Sequence, residues 1–141
     1  MLIEVKTKVE FIIDNKSKKK VVTYVLDTEF FANAEYQVTG MLEEAKKQST
    51  IKSYDVLSLK QSPIKEVITN HDGEHSYIAT LEDIFTEDDG TEKKLKYKVL
   101  LWADNHQQAL AHITELVKQG YDLAIKGIKE VDYEYLNESV D

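Results

Sequence analysis

The chain has 141 residues with no cysteine and no arginine, and its 18 lysines against 26 acids give a net charge of −8. A chain of this length can bury one core, so we expect residues 1–141 to form a single domain, and the missing cysteines exclude disulfides, thiolate nucleophiles and cysteine zinc sites. The N-terminus alternates charged and apolar residues, which argues against a signal peptide or a membrane span, so we expect a cytoplasmic protein with no membrane partner.

The first half of the chain predicts two strands, a helix and a third strand. Residues 1–13 alternate apolar and charged side chains with period two, as a half-buried strand does. Turn residues and lysines follow at 14–20, and the β-branched segment 21–27 completes a hairpin. Apolar residues then recur at helical spacing as far as Ser49, and a strand follows at 53–59.

The second half repeats this order. Strands are expected at 75–85 and 95–102, separated by an acidic turn. Asp104 or Asn105 occupies an N-cap position before a second helix, and Gly120 stands at the C′ position of that helix. The segment YDLAIKGIKEVDYEYL is predicted to close the unit as one long strand.

The two predicted helices align with an offset of 75 residues, which pairs Ala34 with Ala109, Val38 with Ile113 and Leu42 with Val117. The chain thus divides into two β-β-α-β pseudo-repeats, at about 1–70 and 71–136, followed by a short acidic tail at 137–141. One such unit alone would leave a sheet face and a helix stripe uncovered. We therefore predict an α+β fold in which the two units form one mostly antiparallel sheet with both helices packed on it.

Several segments follow one another in a recognisable order: a lysine-rich first hairpin, Ala34 and Glu35 in the first helix, SYDVLSLKQSPIKEVI, NHDGE, and KYKVLLWADNHQQAL before the second helix. In this order and spacing the chain resembles an uncharacterised domain-of-unknown-function family of Bacteroidota and their phages. The resemblance implies no activity, cofactor or catalytic residues, but it implies a mobile-genetic-element setting. The chain is also similar in kind to anti-CRISPR proteins, including inhibitors of RNA-targeting type VI effectors.

The segment NHDGEH matches the H-x-x-E-H pattern of some metalloproteases. That pattern needs a helix to place both imidazoles on one face, whereas Gly73 and strand-like flanks indicate a hairpin turn that separates His71 from His75. The chain also lacks a nucleophile elbow, a phosphate-binding glycine loop and a calcium-loop spacing. We expect no metal site, no cofactor, no catalytic residues and no enzyme activity.

Lysines cluster on both predicted hairpins, at Lys16, Lys18, Lys19 and Lys20 and again at Lys93, Lys94, Lys96 and Lys98. Such patches could contact phosphates, or they could protect strand edges from unwanted pairing. The chain has no arginine, the residue best suited to bidentate phosphate and guanine contacts. Edge protection is the favoured interpretation, and direct nucleic-acid binding remains an alternative.

The C-terminal segment is the predicted partner-binding surface. Residues 71–141 carry 16 acids against 7 lysines, a balance that favours basic protein surfaces as partners. The candidate residues are Glu130, Asp132, Tyr133, Glu134, Tyr135 and Glu138. The tyrosines fall on one strand face and the carboxylates on the other, so the carboxylates could imitate phosphates while the tyrosines supply contact area. Alternatively, the tyrosines pack on the sheet and a solvated tail follows.

These observations predict a non-catalytic phage or mobile-element accessory protein that binds and inhibits or modulates a host protein, with an RNA-guided CRISPR defence effector as the candidate partner. One alternative is a weak nucleic-acid-binding module that uses the lysine-rich hairpins. Another is a homo-oligomeric structural protein.

Overall fold

A computed structural model describes residues 1–118 and 123–136 of the chain. In chain order its elements are β1 (Leu2–Ile13), β2 (Lys16–Asp27), α1 (Phe31–Lys47), β3 (Ile51–Gln61), β4 (Ile64–Val67), β5 (His75–Thr86), β6 (Glu92–Ala103), α2 (His106–Lys118), β7 (Leu123–Val131) and β8 (Tyr133–Leu136). The predicted α+β class is confirmed. The predicted Gly120 cap and the acidic tail at 137–141 lie outside the described residues.

The strands form two four-stranded sheets, whereas a single sheet was expected. The strand orders are β3-β1-β2-β8 and β4-β6-β5-β7. Each sheet is built on a long antiparallel hairpin, which has an antiparallel strand on one side and a short parallel strand on the other. The chain divides into two compact units, the first comprising Met1–Ser62 and the chain from Asp132, the second Pro63–Val131.

The unit boundaries differ from the predicted ones because two short strands change sheets. The strand β4 follows β3 in the chain but pairs with β6, so the first unit ends at Ser62 and not at residue 70. The predicted long C-terminal strand is interrupted at Asp132, because β7 pairs with β5 whereas β8 pairs with β2. The alternation of side-chain character in the sequence continues from β7 through β8, so it does not reveal the break at Asp132.

In the first unit α1 packs on one face of its sheet through the predicted stripe of Ala34, Val38 and Leu42, which are all buried. The hairpin closes through Asp14 and Asn15, whose φ values of 51° and 64° are typical of a two-residue type I′ turn. The 17 residues of α1 span about 25 Å and the 12 residues of β1 about 40 Å, so α1 covers only part of the length of the hairpin.

In the second unit α2 packs in the equivalent way. Ala109 and Ile113 are fully buried and Val117 is partly buried, which agrees with the predicted offset of 75 residues. Their neighbours include Tyr77 and Leu101 from the central strands β5 and β6. Each helix therefore covers the apolar face of the sheet in its own unit.

Candidate interaction surfaces

The predicted acidic surface is divided between β7 and β8, and two of its carboxylates have internal partners. Glu130 in β7 pairs with His75, whose Nδ1 lies 3.0 Å from the carboxylate. Asp132, between β7 and β8, lies 3.2 Å from the Nζ of Lys20. All four side chains are about half exposed. Exposed ion pairs of this kind contribute about 0–1 kcal/mol to folding stability, so a basic partner can replace His75 or Lys20 at little cost in free energy.

Tyr133 takes part in the internal structure of the first unit. The parallel register of β8 on β2 pairs Tyr133 with Thr23, Glu134 with Tyr24 and Tyr135 with Val25. The Tyr133 hydroxyl donates to Oε1 of Glu4 at 3.1 Å, and Glu4 is only 4% exposed. Burial, together with the Glu4 charge and this hydrogen bond, raises the pKa of Tyr133 to about 12. Tyr133 therefore satisfies a buried carboxylate, and the predicted placement of both tyrosines on one face is confirmed.

Glu134 is the member of the predicted surface that remains available. Its side chain is exposed, and no ion pair to it is found within the described part of the chain. The neighbouring Tyr24 is buried, and burial together with the Glu134 charge raises the pKa of Tyr24 to about 12. Tyr135 is half-buried, and Glu138 lies outside the described residues. The acidic surface on β8 thus centres on Glu134.

The lysines of the first hairpin do not form the single patch that was considered from the sequence. Side chains alternate faces along a strand, so Lys16, Lys18 and Lys20 lie on the α1 face of the sheet and Lys19 lies on the other. The strand β8 pairs with β2 only over Thr23–Leu26. Within the described residues these lysines therefore occupy a stretch of β2 with an unpaired outer edge, which supports edge protection.

The second hairpin distributes its lysines differently. Lys94, Lys96 and Lys98 share the sheet face opposite α2, whereas Lys93 lies on the other face and pairs with Glu87 at 2.9 Å. Three lysines at alternate positions on one strand form a short basic row. This row is the feature of the fold that most favours phosphate contacts.

The NHDGEH segment is a loop between two strands that do not pair, so the predicted hairpin is wrong. The strand β6 lies between β4 and β5 in the sheet, and the loop 68–74 must cross the end of β6. Its backbone N–H at Glu74 donates to Oδ1 of Asp104 at 3.2 Å. A Cβ on Gly73 would overlap backbone atoms of Ala103, so glycine is needed here for a close approach of two chain segments.

The two histidines of this motif have different neighbours. His75 pairs with Glu130, whereas the His71 ring stacks on His112 of α2 with centroids 3.8 Å apart and planes 7° from parallel. Burial, followed by the charge of His71, lowers the pKa of His112, and Glu115 partly opposes this shift. Stacked rings hold their nitrogens side by side, so they do not converge on one ion. Among the described residues no three metal-ligating side chains are grouped.

A cavity of about 250 Å³ lies between α2 and the sheet of the second unit. Its described lining residues are Lys65, Glu66, Leu81, Asp83, Tyr97, Val99, Leu116 and Leu123. The ammonium of Lys65 stands 5.1 Å from the centre of the Tyr97 ring, which places a cation–π contact at the rim. The described lining is thus an apolar floor with a charged rim.

Three exposed aromatic side chains near the start of α1 were missed from the sequence. Phe30, Phe31 and Tyr36 are 67%, 45% and 77% exposed, and Glu29 and Glu35 beside them are also exposed. Phe31 and Tyr36 are five residues apart in α1, so they project about 140° apart around the helix and do not form one patch. The available signal was the segment FFANAEY, in which Tyr36 falls outside the buried helix stripe and Phe30 precedes the helix.

The starts of the two helices differ in their capping. Oδ1 of Asn105 accepts from the backbone N–H of Gln108 at 2.8 Å, and Oε1 of Gln108 accepts from the N–H of Asp104 at 2.7 Å. This arrangement is a reciprocal helix cap. The N-cap of α1 is Phe30, which provides no side-chain hydrogen bond, so α1 forgoes about 1 kcal/mol of capping.

The family model described as Domain of unknown function (DUF4494) matches residues 2–135, a span that includes both units. The chain belongs to the DUF4494 family. No curated protein and no solved structure matches it. The predicted resemblance to an uncharacterised family is therefore confirmed at that level.

Since the DUF4494 description names no activity, function must be argued from the surfaces of the fold. In the described ranges, no helix combines the length and the apolar character needed to cross a membrane.

Proposed function

We propose that this DUF4494 domain is a non-catalytic accessory protein that binds a host protein and inhibits or modulates it in the cytoplasm. The observation that carries the proposal is the position of β8 at the edge of its sheet, with the exposed carboxylate of Glu134 on it. No further strand pairs with β8 in the described part of the chain. An acidic sheet edge complements a protein groove rich in lysine and arginine.

Both the backbone and the side chains of this edge support binding. Unpaired N–H and C=O groups of β8 can pair with an extended partner segment, while the side chains select its charge. Asp132 can join Glu134, because its exposed pair with Lys20 is weak enough to exchange for a basic partner. Half-buried Tyr135 supplies amphipathic contact area beside them.

We further propose that the partner is a nucleic-acid-handling defence effector, such as an RNA-guided CRISPR enzyme, and that the protein belongs to a phage or another mobile element. Effectors of this kind hold nucleic acid in a positively charged channel. Carboxylates on a sheet edge could occupy such a channel in place of phosphates. The support is the net charge of −8 and the sequence resemblance stated above.

The first test is affinity purification of the tagged protein from host lysate, with and without nuclease, followed by mass spectrometry. A stoichiometric partner that survives nuclease is expected. Glu134→Lys should weaken its binding, whereas Asp88→Lys makes the same charge change at an exposed turn position and should leave binding unchanged. Equal binding by wild type and Glu134→Lys would exclude β8 as the docking edge.

A second candidate function is weak nucleic-acid binding by the row of Lys94, Lys96 and Lys98. It is favoured by their position on one sheet face. The test is a mobility-shift assay with single-stranded RNA and DNA at low ionic strength. Retardation that disappears in Lys94→Glu and is lost at higher salt would favour this function, as would recovery of only nuclease-sensitive material from lysate.

A further inference from the structure

The cavity of the second unit has a carboxylate set among apolar side chains. Asp83 lies on the sheet face that α2 covers, and the strand register places it directly between Leu95 of β6 and Leu123 of β7. Its side chain is partly buried, and among the described residues no hydrogen bond or ion pair to its carboxylate is found. A carboxylate beside apolar side chains is costly in free energy unless a cation pairs with it.

The rest of the lining fits the apolar body of a small molecule. Apolar side chains from four elements line the cavity: Leu81, Val99, Leu116 and Leu123. Leu95 and Phe85, which are 47% and 37% exposed, continue this apolar surface along the same face of the hairpin. An apolar cavity of about 150 Å³ holds benzene, so a volume of about 250 Å³ has room for roughly ten non-hydrogen atoms.

The charges of the described lining favour a cationic head group on that molecule. Lys65 and Glu66 of β4 are exposed and their charges balance, so Asp83 leaves the lining with an excess of negative charge. The Tyr97 ring already attracts one cation, because the Lys65 ammonium stands 5.1 Å from its centre. A molecule with an ammonium group and an apolar body therefore matches both the charge and the walls of the cavity.

The first unit has a buried valine at the position equivalent to Asp83. The offset of 75 residues that aligns the helices also aligns β2 with β6, so the strand partners Ile3 and Tyr77 are equivalent, as are Val9 and Asp83 further along. Val9 is fully buried in the core of the first unit. The pseudo-repeat therefore does not require a carboxylate at this position, and the second unit differs where its cavity lies.

We infer that the cavity binds a small primary amine, whose ammonium pairs with Asp83 and whose apolar body lies between α2 and the sheet. Alkyl or arylalkyl amines of roughly ten non-hydrogen atoms are the class that fits. Lys65 stands at the rim as a competing cation. The inference goes beyond the proposed function and uses other residues than β8.

Titration of the isotope-labelled full chain with phenethylamine, followed by NMR, tests the inference. Amide shifts should saturate and should concentrate on the residues that line the cavity. Phenethyl alcohol and hydrocinnamate carry a similar apolar body with a neutral or a negative head group. Each should bind at least about tenfold more weakly, because the charge-assisted hydrogen bond to Asp83 is lost.

Two substitutions assign the binding to the cavity. Asp83→Asn keeps the size of the side chain but removes its charge, so phenethylamine should bind at least about tenfold more weakly. Asp88→Asn is the matched control at an exposed turn position and should leave binding unchanged. Lys65→Met removes the competing cation and should tighten phenethylamine binding, by up to about fivefold.

Four results would overturn the inference: no saturable shifts with phenethylamine, equal binding of the three probes, unchanged binding in Asp83→Asn, or weaker binding in Lys65→Met. The amide spectrum of each variant shows whether it is folded. Should Asp83→Asn unfold the chain, the comparison of the three probes on the wild type and the titration of Lys65→Met decide the question.

Discussion

The close approach of Gly73 to Ala103 gives the sharpest test of how the loop 68–74 is held. In Gly73→Ala the new methyl group would overlap the backbone of Ala103, the last residue of β6. Backbone atoms cannot change rotamer as a side chain can, so the loop 68–74 has to move. This movement strains the hydrogen bond from the Glu74 N–H to the Asp104 carboxylate. Forced overpacking of this kind costs about 1–3 kcal/mol of folding free energy, occasionally more.

This loss translates into a measurable change in the melting temperature. With an unfolding entropy of about 2.1 cal/mol/K per residue, 141 residues give about 0.3 kcal/mol/K, so the melting temperature should fall by about 3–10 °C. Trp102, the single tryptophan, is adjacent to Ala103 and reports the local change by fluorescence. Circular dichroism recorded in parallel shows whether the whole chain unfolds in the same transition.

Gly40→Ala is the matched control, because it adds the same methyl group in the interior of α1. A Cβ at Gly40 would have nothing within 4 Å, so the substitution only reduces the entropy lost on folding. It should stabilise the protein by about 0.5–1 kcal/mol. An unchanged or higher melting temperature in Gly73→Ala, with the expected rise in Gly40→Ala, would refute the packing of the loop on β6.

Four further predictions concern named hydrogen bonds and ionisable groups. Tyr133→Phe leaves the buried Glu4 carboxylate without this donor and should lower the free energy of unfolding in urea by about 1–3 kcal/mol. The pKa of Tyr133 is raised to about 12 from 10.0, so the folded chain holds the phenolic proton more tightly than the unfolded chain does. Folding stability should therefore be retained below pH 10 and fall between pH 10 and 12. Tyr133→Phe should reduce that fall. The pKa of His112 is lowered from 6.5, so its NMR titration should have a midpoint below 6.5, and folding stability should decline as the pH falls below 6.5. In His71→Ala the midpoint should rise, because the stacked ring and its charge are removed. An unchanged midpoint in this variant would contradict the stacking. Asn105→Ala removes the cap of α2 and should lower stability by about 1 kcal/mol in the same urea assay, whereas no loss would contradict the capping geometry.

Local sequence patterns were sufficient wherever a structure depends on neighbouring residues. The helical spacing of Ala34, Val38 and Leu42 predicted the buried stripe of α1, and the Asp14-Asn15 pair suits a tight hairpin turn because both residues tolerate positive φ. The sequence likewise identified Asn105 as one of two candidates for the N-cap of α2. In these cases the determining interactions span only a few residues, and the side-chain period records which face is buried.

Strand pairing was decided by partners that are remote in the sequence. NHDGEH lies between two strand-like segments and has turn residues, yet β4 pairs with β6 and the loop crosses over the end of that strand. The break at Asp132 is hidden for the same reason, since β7 and β8 continue one pattern but pair with strands of different sheets. The alternation of apolar and polar residues predicts that a strand forms, but it does not determine which sheet edge that strand pairs with.

The candidate surfaces show the same division between local and remote information. The sequence by itself determined the number and order of the acids near the C-terminus, and it placed Tyr133 and Tyr135 on one strand face. Only the tertiary structure decided that Glu130 meets His75, that Asp132 meets Lys20, and that Phe30, Phe31 and Tyr36 stay exposed. A charge or an aromatic ring is encoded locally, but its partner and its exposure depend on which distant segments the fold brings beside it.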